Sequence, residues 1–192
     1  MTAEPNQVFK RIKWIAILGV LILGSIGIYW SLSQSATERS SPITNTRLEW
    51  DNKAIEVIYS SPSKKGRTIF GELVPYGEVW RTGANEATVF QTSVALTIQG
   101  KNLPAGTYTL WTIPQKDRWT VIWNKKMYPW GVDFNAKAMR NAQYDALLIE
   151  VPTKTIEPEE QFAIQLSGEN GRGLMRLSWD KVKVEVDFIF PN

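Results

Sequence analysis

The stretch Lys181-Val182-Lys183-Val184-Glu185-Val186-Asp187-Phe188-Ile189-Phe190 decides the fold class of this chain. Its valines and phenylalanines stand at every second position, and the positions between them are mostly charged. Successive side chains of an extended strand point to opposite faces of a sheet. This alternation therefore predicts a strand with one buried apolar face and one solvated face.

The same two-residue period recurs in four other parts of the chain, separated by Gly, Pro and Asn residues typical of turns. Many short strands interrupted this often predict an all-β fold, mainly an antiparallel sandwich or barrel. The segment from Phe134 to Tyr144 departs from the pattern. Because it contains three alanines and few β-branched residues, we expect a short helix or helical turn there. The four runs are Ile55, Val57 and Tyr59; Trp119, Val121 and Trp123; Phe162, Ile164 and Leu166; and Met175, Leu177 and Trp179.

An apolar run from Trp14 to Ser33 contains no charged side chain and follows Lys10, Arg11 and Lys13. A helix of this length is about 30 Å long, which matches the hydrocarbon core of a bilayer. Cations that precede such a run stay in the cytoplasm, so the positive-inside rule directs the rest of the chain across the membrane. The sequence therefore predicts a single transmembrane helix and an exported C-terminal portion.

The alternative is a cleaved signal peptide, which has a shorter apolar centre of about 7 to 15 residues followed by a small-x-small cleavage site. Here the apolar run is longer, and Ser33-Gln34-Ser35 matches such a site only weakly. A retained anchor is the interpretation we adopt. It divides the chain into a cytoplasmic N-terminus (1–13), a transmembrane anchor (14–33), a polar linker (34–45) and a β domain (46–192).

Composition excludes several classes of site. The chain has neither cysteine nor histidine, which excludes disulfides, thiolate metal sites and the nucleophilic triads that use histidine. We therefore expect no catalytic residues, no metal and no cofactor. Its 22 Lys and Arg oppose 19 Asp and Glu, and three of the cations precede the apolar run. The exported part is thus nearly neutral, and a nucleic-acid partner is not expected.

The segment from Arg67 to Thr88 is rich in Gly, Arg, Asn and Glu and is hardly periodic, as in a loop that carries a binding site. Its arginines have the chemistry to clamp an anion, its asparagine to hold an amide or hydroxyl, and Glu86 to pair with an arginine or act as a base. The competing interpretation is that these polar groups fold the loop onto itself. The candidate ligand-binding residues are Arg67, Tyr76, Trp80, Arg81, Asn85, Glu86 and, from a later loop, Trp130.

Two motifs in this part of the chain are Leu73-Val74-Pro75-Tyr76-Gly77 and Val79-Trp80-Arg81-Thr82-Gly83-Ala84-Asn85-Glu86-Ala87-Thr88. Through them the chain resembles a family of bacterial proteins defined as a domain of unknown function, DUF2911. The resemblance continues through Leu103-Pro104-Ala105-Gly106-Thr107-Tyr108 and covers most of residues 46–190. The resemblance implies an exported bacterial β domain and carries over no reaction, ligand or catalytic residue.

Together these features predict a single-pass protein of the bacterial inner membrane whose β domain faces the periplasm. We expect a non-catalytic binding module for an envelope protein or glycan. Two alternatives stay open: a structural subunit of a membrane complex, with the aromatic surface as its interface, and a carboxylate-dependent polysaccharide hydrolase with Glu86 as its first candidate. The hydrolase requires a second carboxylate about 5 to 9.5 Å away across a cleft.

Overall fold

A computed structural model describes residues 5–191, with side chains for residues 13–33 and 40–191. The chain divides into two compact units, residues 1–39 and 40–192. The first is helical: α1 (Pro5–Ser40) contains one segment, Lys13–Ser33, that is long and apolar enough to cross a membrane. Residues 1–4 of the predicted cytoplasmic N-terminus lie outside the described part of the chain.

The structure differs from the predicted linker at residues 34–45. The helix continues to Ser40, and the first strand, β1 (Ile43–Trp50), begins before the expected domain boundary. Pro42 explains where the helix ends, because a proline disfavours helical geometry in the residue before it. From Ile43 onward the backbone pairs in continuous register with the next strand, β2 (Lys53–Ser60), so these residues already belong to the β domain.

Two antiparallel sheets make up the second unit. The larger sheet has the order β1-β2-β3-β6-β7-β8, and the smaller one has the order β5-β4-β10-β9. The described strands do not close into a barrel, so the prediction of an antiparallel β fold is confirmed in its open form. The remaining strands are β3 (Val89–Thr92), β4 (Leu96–Ile98), β5 (Lys101–Leu103), β6 (Gly106–Pro114), β7 (Arg118–Asn124), β8 (Asp145–Pro152), β9 (Lys154–Glu169) and β10 (Arg172–Ile189).

The alternating stretch at residues 181–190 forms the end of β10 and the one residue after it. Val184, Val186, Phe188 and Phe190 are buried, as the alternation predicts. They join residues from both sheets in one large apolar cluster, which we call the main core. Burying a large apolar side chain contributes roughly 1.5–3 kcal/mol, so alternating strands from both sheets hold this unit together.

The larger sheet also packs on its other face. A second cluster, the outer cluster, consists of Ala87, Trp111, Ile122 and Tyr128, with Val79, Ile113 and Ala138 packed against it. Along β6 and β7, residues of the main core alternate with residues of the outer cluster. The two clusters therefore lie on opposite faces of this sheet.

The loop after β7 contains little helix. A 3-10 turn, Ala142–Tyr144, covers the end of the predicted helical segment, whereas residues 131–139 pair with themselves. Val132 and Ala138 form an antiparallel bridge, and Ala136 has a left-handed φ of +60°. This conformation breaks an α-helix, so alanine content alone was a poor guide here.

Candidate functional site

Trp80 lies beside the larger sheet, next to β6. Its backbone N–H donates to the Thr112 carbonyl at 2.7 Å, and the Thr112 N–H donates back to the Trp80 carbonyl at 3.0 Å. Farther along the same strand, the Leu110 N–H donates to the Thr88 carbonyl at 2.8 Å. The loop between Trp80 and Thr88 therefore leaves the sheet edge and returns to it, which positions the predicted site residues 81–86.

Trp80 and Arg81 point to opposite sides of the larger sheet. The indole of Trp80 packs with aromatic rings of the main core, and its Nε1 donates to the Gly83 carbonyl at 2.9 Å. The Arg81 side chain lies on the other face, since its Cβ is near Gly131, which also contacts Ala87 of the outer cluster. The predicted candidates thus fall into two groups. The rings around Trp80 are those of Phe70, Trp119, Phe162 and Trp179.

Trp80, on the side of the sheet that faces the main core, lines a pocket of about 490 Å³. Trp80 and Trp179 lie nearly parallel in its wall, with ring centroids 6.0 Å apart and an interplanar angle of 18°. Leu73 and Val74 add apolar surface, and the serines at 40 and 41 add hydroxyls. The pocket is therefore mainly apolar. Its lining residues are Ser40, Ser41, Pro62, Lys65, Arg67, Leu73, Val74, Trp80, Gly83, Ala84 and Trp179.

Two cations stand at this pocket, Lys65 and Arg67. Arg67 is partly engaged, because its Nε donates to the Lys64 carbonyl at 2.9 Å and its Nη2 to the Ser63 carbonyl at 2.6 Å. The Lys65 ammonium donates to Ser40 Oγ at 2.9 Å. Both side chains are donors only and retain unused N–H groups. They give the mouth of the pocket a positive charge that no Asp or Glu of its described lining opposes.

The outer group pairs Arg81 with Trp130. The guanidinium lies over the indole, 5.9 Å from its centroid, and Nη1 donates to the Trp130 carbonyl at 3.3 Å. Burial lowers the pKa of Arg81, and the charge of Glu86 partly opposes that effect. Arg81 remains a cation at neutral pH, because an arginine pKa starts far above that range. The contact between Arg81 and Trp130 joins the loop between β7 and β8 to the segment beside the sheet.

The other three candidates neither line the pocket nor belong to the pair of Arg81 and Trp130. The exposed ring of Tyr76 lies against Gly71, where an added Cβ would come within 2.8 Å of Tyr76 Cε2. Asn85 has a left-handed φ of +54°, a conformation that asparagine tolerates in turns. Glu86 accepts a hydrogen bond from Ser60 Oγ at 2.9 Å. None of these three side chains lines the pocket, and their part in ligand binding stays a prediction.

The pocket offers no pair of carboxylates for hydrolysis. Its described lining contains no Asp or Glu, and Glu86 is exposed to solvent outside it. Within the described part of the chain, no group of three or more His, Cys, Asp or Glu side chains is arranged to hold a metal. The arrangement suits binding through apolar contact and positive charge.

Sequence reasoning missed part of this pocket. Trp179 was interpreted as a core residue and is indeed 1% exposed, but its ring also forms the pocket wall. It comes from β10, about a hundred residues from Trp80, so no local motif joins the two. Lys65 lies in a turn rich in cations, residues 64–67, and only the packing of that turn beside Ser40 brings it to the pocket.

Comparison with known protein families gives a match over most of the chain. A family model described as "Protein of unknown function (DUF2911)" matches residues 41–188, which confirms the resemblance seen in the sequence. No curated protein and no solved structure gives a significant match.

Proposed function

Because the chain belongs to the DUF2911 family, whose description assigns no activity, we propose from its geometry that it is a membrane-anchored, exported binding module without catalysis. The observation that supports this proposal is the pocket beside Trp80 and Trp179. It combines an apolar wall with two cations and lacks a carboxylate in its described lining. Such a pocket recognises a ligand by shape and charge.

The anchor in this proposal is the segment Lys13–Ser33. The cations at 10, 11 and 13 would keep the N-terminus in the cytoplasm. The helix would then cross the bacterial inner membrane, and the β domain would face the periplasm. Protease added to intact spheroplasts tests this orientation. We expect the β domain to be digested there, and digestion only after lysis would contradict the proposal.

The ligand that fits best is a segment of an envelope protein that carries an apolar side chain beside a carboxylate. The apolar group would pack on Leu73, Val74 and Trp80, and the carboxylate would face Lys65 and Arg67. A neutral glycan fits less well. Sugar hydroxyls are usually held by planar amide or carboxylate side chains, and the described lining of the pocket has none.

Site-specific photocrosslinking in living bacteria tests this proposal. The photoreactive amino acid p-benzoylphenylalanine replaces Leu73, which lines the pocket and is 45% exposed, in the full chain. Leu148, which is 42% exposed on β8, serves as the matched control. We expect an adduct at position 73 that is absent at position 148 and is weakened by Lys65→Glu or Arg67→Glu.

The digestion pattern of the adduct identifies its class. An adduct that yields peptides of a second protein on digestion and mass spectrometry supports a protein ligand, and one whose added mass is removed by glycan hydrolases supports the glycan alternative. Equal labelling at positions 73 and 148, or labelling unchanged by both charge reversals, would overturn the pocket as the binding site.

A further inference from the structure

A second surface lies apart from the pocket, on the loop between β7 and β8. Residues 131–139 form a small hairpin, since the Met139 N–H donates to the Gly131 carbonyl and the Asp133 N–H to the Lys137 carbonyl, both at 2.9 Å. The Asp133 carboxylate accepts from the backbone N–H groups of Asn135 and Lys137 at 2.8 and 2.9 Å. The tip is thus held by its own hydrogen bonds.

This ordered tip exposes large apolar side chains to water. Phe134 stands at the turn of the hairpin with its ring fully exposed. Trp130 and Met139, at the base of the hairpin, and Met127 just before it are each about half exposed. Large apolar side chains that cluster on an exposed surface mark a site of contact with a protein or a membrane. These side chains therefore indicate a contact with an apolar phase.

The charges around the hairpin are mostly positive. Lys125, Lys126 and Lys137 are exposed and form no ion pair within the described residues. Lys126 lies over the rings of Tyr128 and Tyr144, 5.1 and 5.8 Å from their centroids. The one acid of the hairpin, Asp133, is occupied by backbone donors. Aromatic side chains beside unpaired lysines are the chemistry of an anionic lipid interface.

We propose that this hairpin inserts Phe134 and Trp130 into the headgroup region of an anionic bilayer, with the three lysines facing lipid phosphates. The inference rests on the anchoring part of the proposed function, because a spanning helix holds the domain beside a bilayer at high effective concentration. The hairpin would then be a second membrane attachment. It is separate from the ligand pocket, with which it shares no lining residue.

The absence of cysteine from the chain permits a clean test. Asn135→Cys places one thiol at the tip and retains Phe134, and an environment-sensitive fluorophore is attached to it in the full chain. The labelled protein is reconstituted in nanodiscs of phosphatidylcholine with or without phosphatidylglycerol, and with lipids that carry a quencher on the acyl chain. Two control sites take the same label: Gly24→Cys in the helix and Asn170→Cys at the exposed turn between β9 and β10.

We expect lipid quenching at position 135 in discs that contain phosphatidylglycerol, at least about twofold stronger than at position 170. Phe134→Ser, and separately Lys125→Glu with Lys137→Glu, should reduce that quenching toward the level at position 170. Both changes affect exposed side chains, so the fold should be unaffected, as circular dichroism would verify. Quenching at position 24 should not change.

Three results would overturn the inference. A label at position 135 that reports water while the label at position 24 is quenched would show that the helix spans the bilayer and the hairpin does not touch it. A blue-shifted label at position 135 without lipid quenching would instead identify a protein contact, such as a second copy. Absence of quenching at position 24 as well would refute both the anchor and the hairpin contact.

Discussion

Gly83 lies where the loop that follows Trp80 passes close to β2. A Cβ at this position would come within 2.9 Å of the Ser60 carbonyl oxygen and 3.1 Å of Thr88 Oγ1. Because the Ser60 carbonyl oxygen is a backbone atom, the loop itself would have to move to remove this steric clash. We predict that Gly83→Ala lowers the free energy of unfolding by about 1–3 kcal/mol and weakens the photocrosslink at position 73.

Gly100→Ala is the matched control for this substitution. Gly100 has a φ of +73° and no atom within 4 Å of an added Cβ. Only backbone strain opposes its replacement, at a cost of about 1 kcal/mol. Urea unfolding measures both variants, and the crosslink measures the pocket. If Gly83→Ala left the crosslink at full strength, the loop would not be what positions the pocket wall.

Glu185 supplies a pH-dependent contribution to stability. Its carboxylate accepts hydrogen bonds from Lys154 Nζ and Lys183 Nζ, both at 2.6 Å. These contacts, first that from Lys154, lower the pKa of Glu185 below its ordinary value. A carboxyl with a depressed folded pKa stabilises the fold above its unfolded pKa, and this contribution disappears as pH falls through the folded value.

Glu185→Gln should therefore lower the midpoint of urea unfolding at pH 7. The difference from the natural chain should shrink as the pH is lowered through the acidic range, because the natural glutamic acid then also becomes neutral. Glu157→Gln, at an exposed residue without an ion pair among the described residues, controls for the change in net charge. A difference that stayed constant with pH would show that the ion pairs are not its source.

At the scale of elements, the contacts between the hairpin of β9 and β10 and the turn at residues 64–67 include an ion pair. The register of β10 shifts on either side of Asp180, which has a left-handed φ of +52°. Its carboxylate lies 2.5 Å from Lys64 Nζ, and both side chains are partly buried. The irregularity in the strand thus directs a charge at the turn that carries Lys65 and Arg67.

A double-mutant cycle with Lys64→Met and Asp180→Asn measures this connection. We predict a favourable coupling energy of about 1 kcal/mol, toward the upper end for such pairs because these side chains are partly desolvated. The cycle is measured by urea unfolding of the two single variants and the double variant. Additive effects of the two substitutions would show that the pair contributes nothing beyond its separate side chains.

The strands differ in how far the sequence predicted them. The long alternating runs in β2, β7, β9 and β10 were evident, because burial on one face forces a period of two. The strands β3, β4 and β5 have only three or four residues, which is too short for a period to be visible. The helix through residues 34–40 was missed because a polar composition typical of a spacer does not prevent helix formation.

The candidate site shows the same limit more clearly. In an extended segment, neighbouring residues such as Trp80 and Arg81 point to opposite faces. Trp80 pairs with the sheet only through an isolated bridge to Thr112, and a single bridge leaves no periodic pattern from which this could be predicted. The stacking of Trp80 on Trp179 depends on how the two sheets pack. Local patterns identified a loop that contributes residues to the pocket, and only tertiary packing determines which of its side chains line that pocket.

At the scale of the whole molecule, the two units have separate sources of stability. Every described residue of the main core lies between Ile55 and Phe190, and the outer cluster lies within the same range. The side chains of α1 from residue 13 to 33 are almost all exposed, as expected for a segment stabilised by lipid. The β domain therefore has an apolar core of its own.

A chain that begins at residue 38 tests this independence. It retains Ser40, whose carbonyl and hydroxyl accept hydrogen bonds from Ser63 N–H and Lys65 Nζ, and it lacks the apolar segment. We predict one cooperative unfolding transition, with a midpoint within about 2 °C of the full chain in detergent, because no core contact is removed. Removing Ser40 and Ser41 as well should lower that midpoint, since the turn beside the pocket loses its partners. If the shorter chain instead lost cooperativity when only residues 1–37 were absent, the helix would be an integral part of the fold, and the β domain could not act as a module on a simple tether.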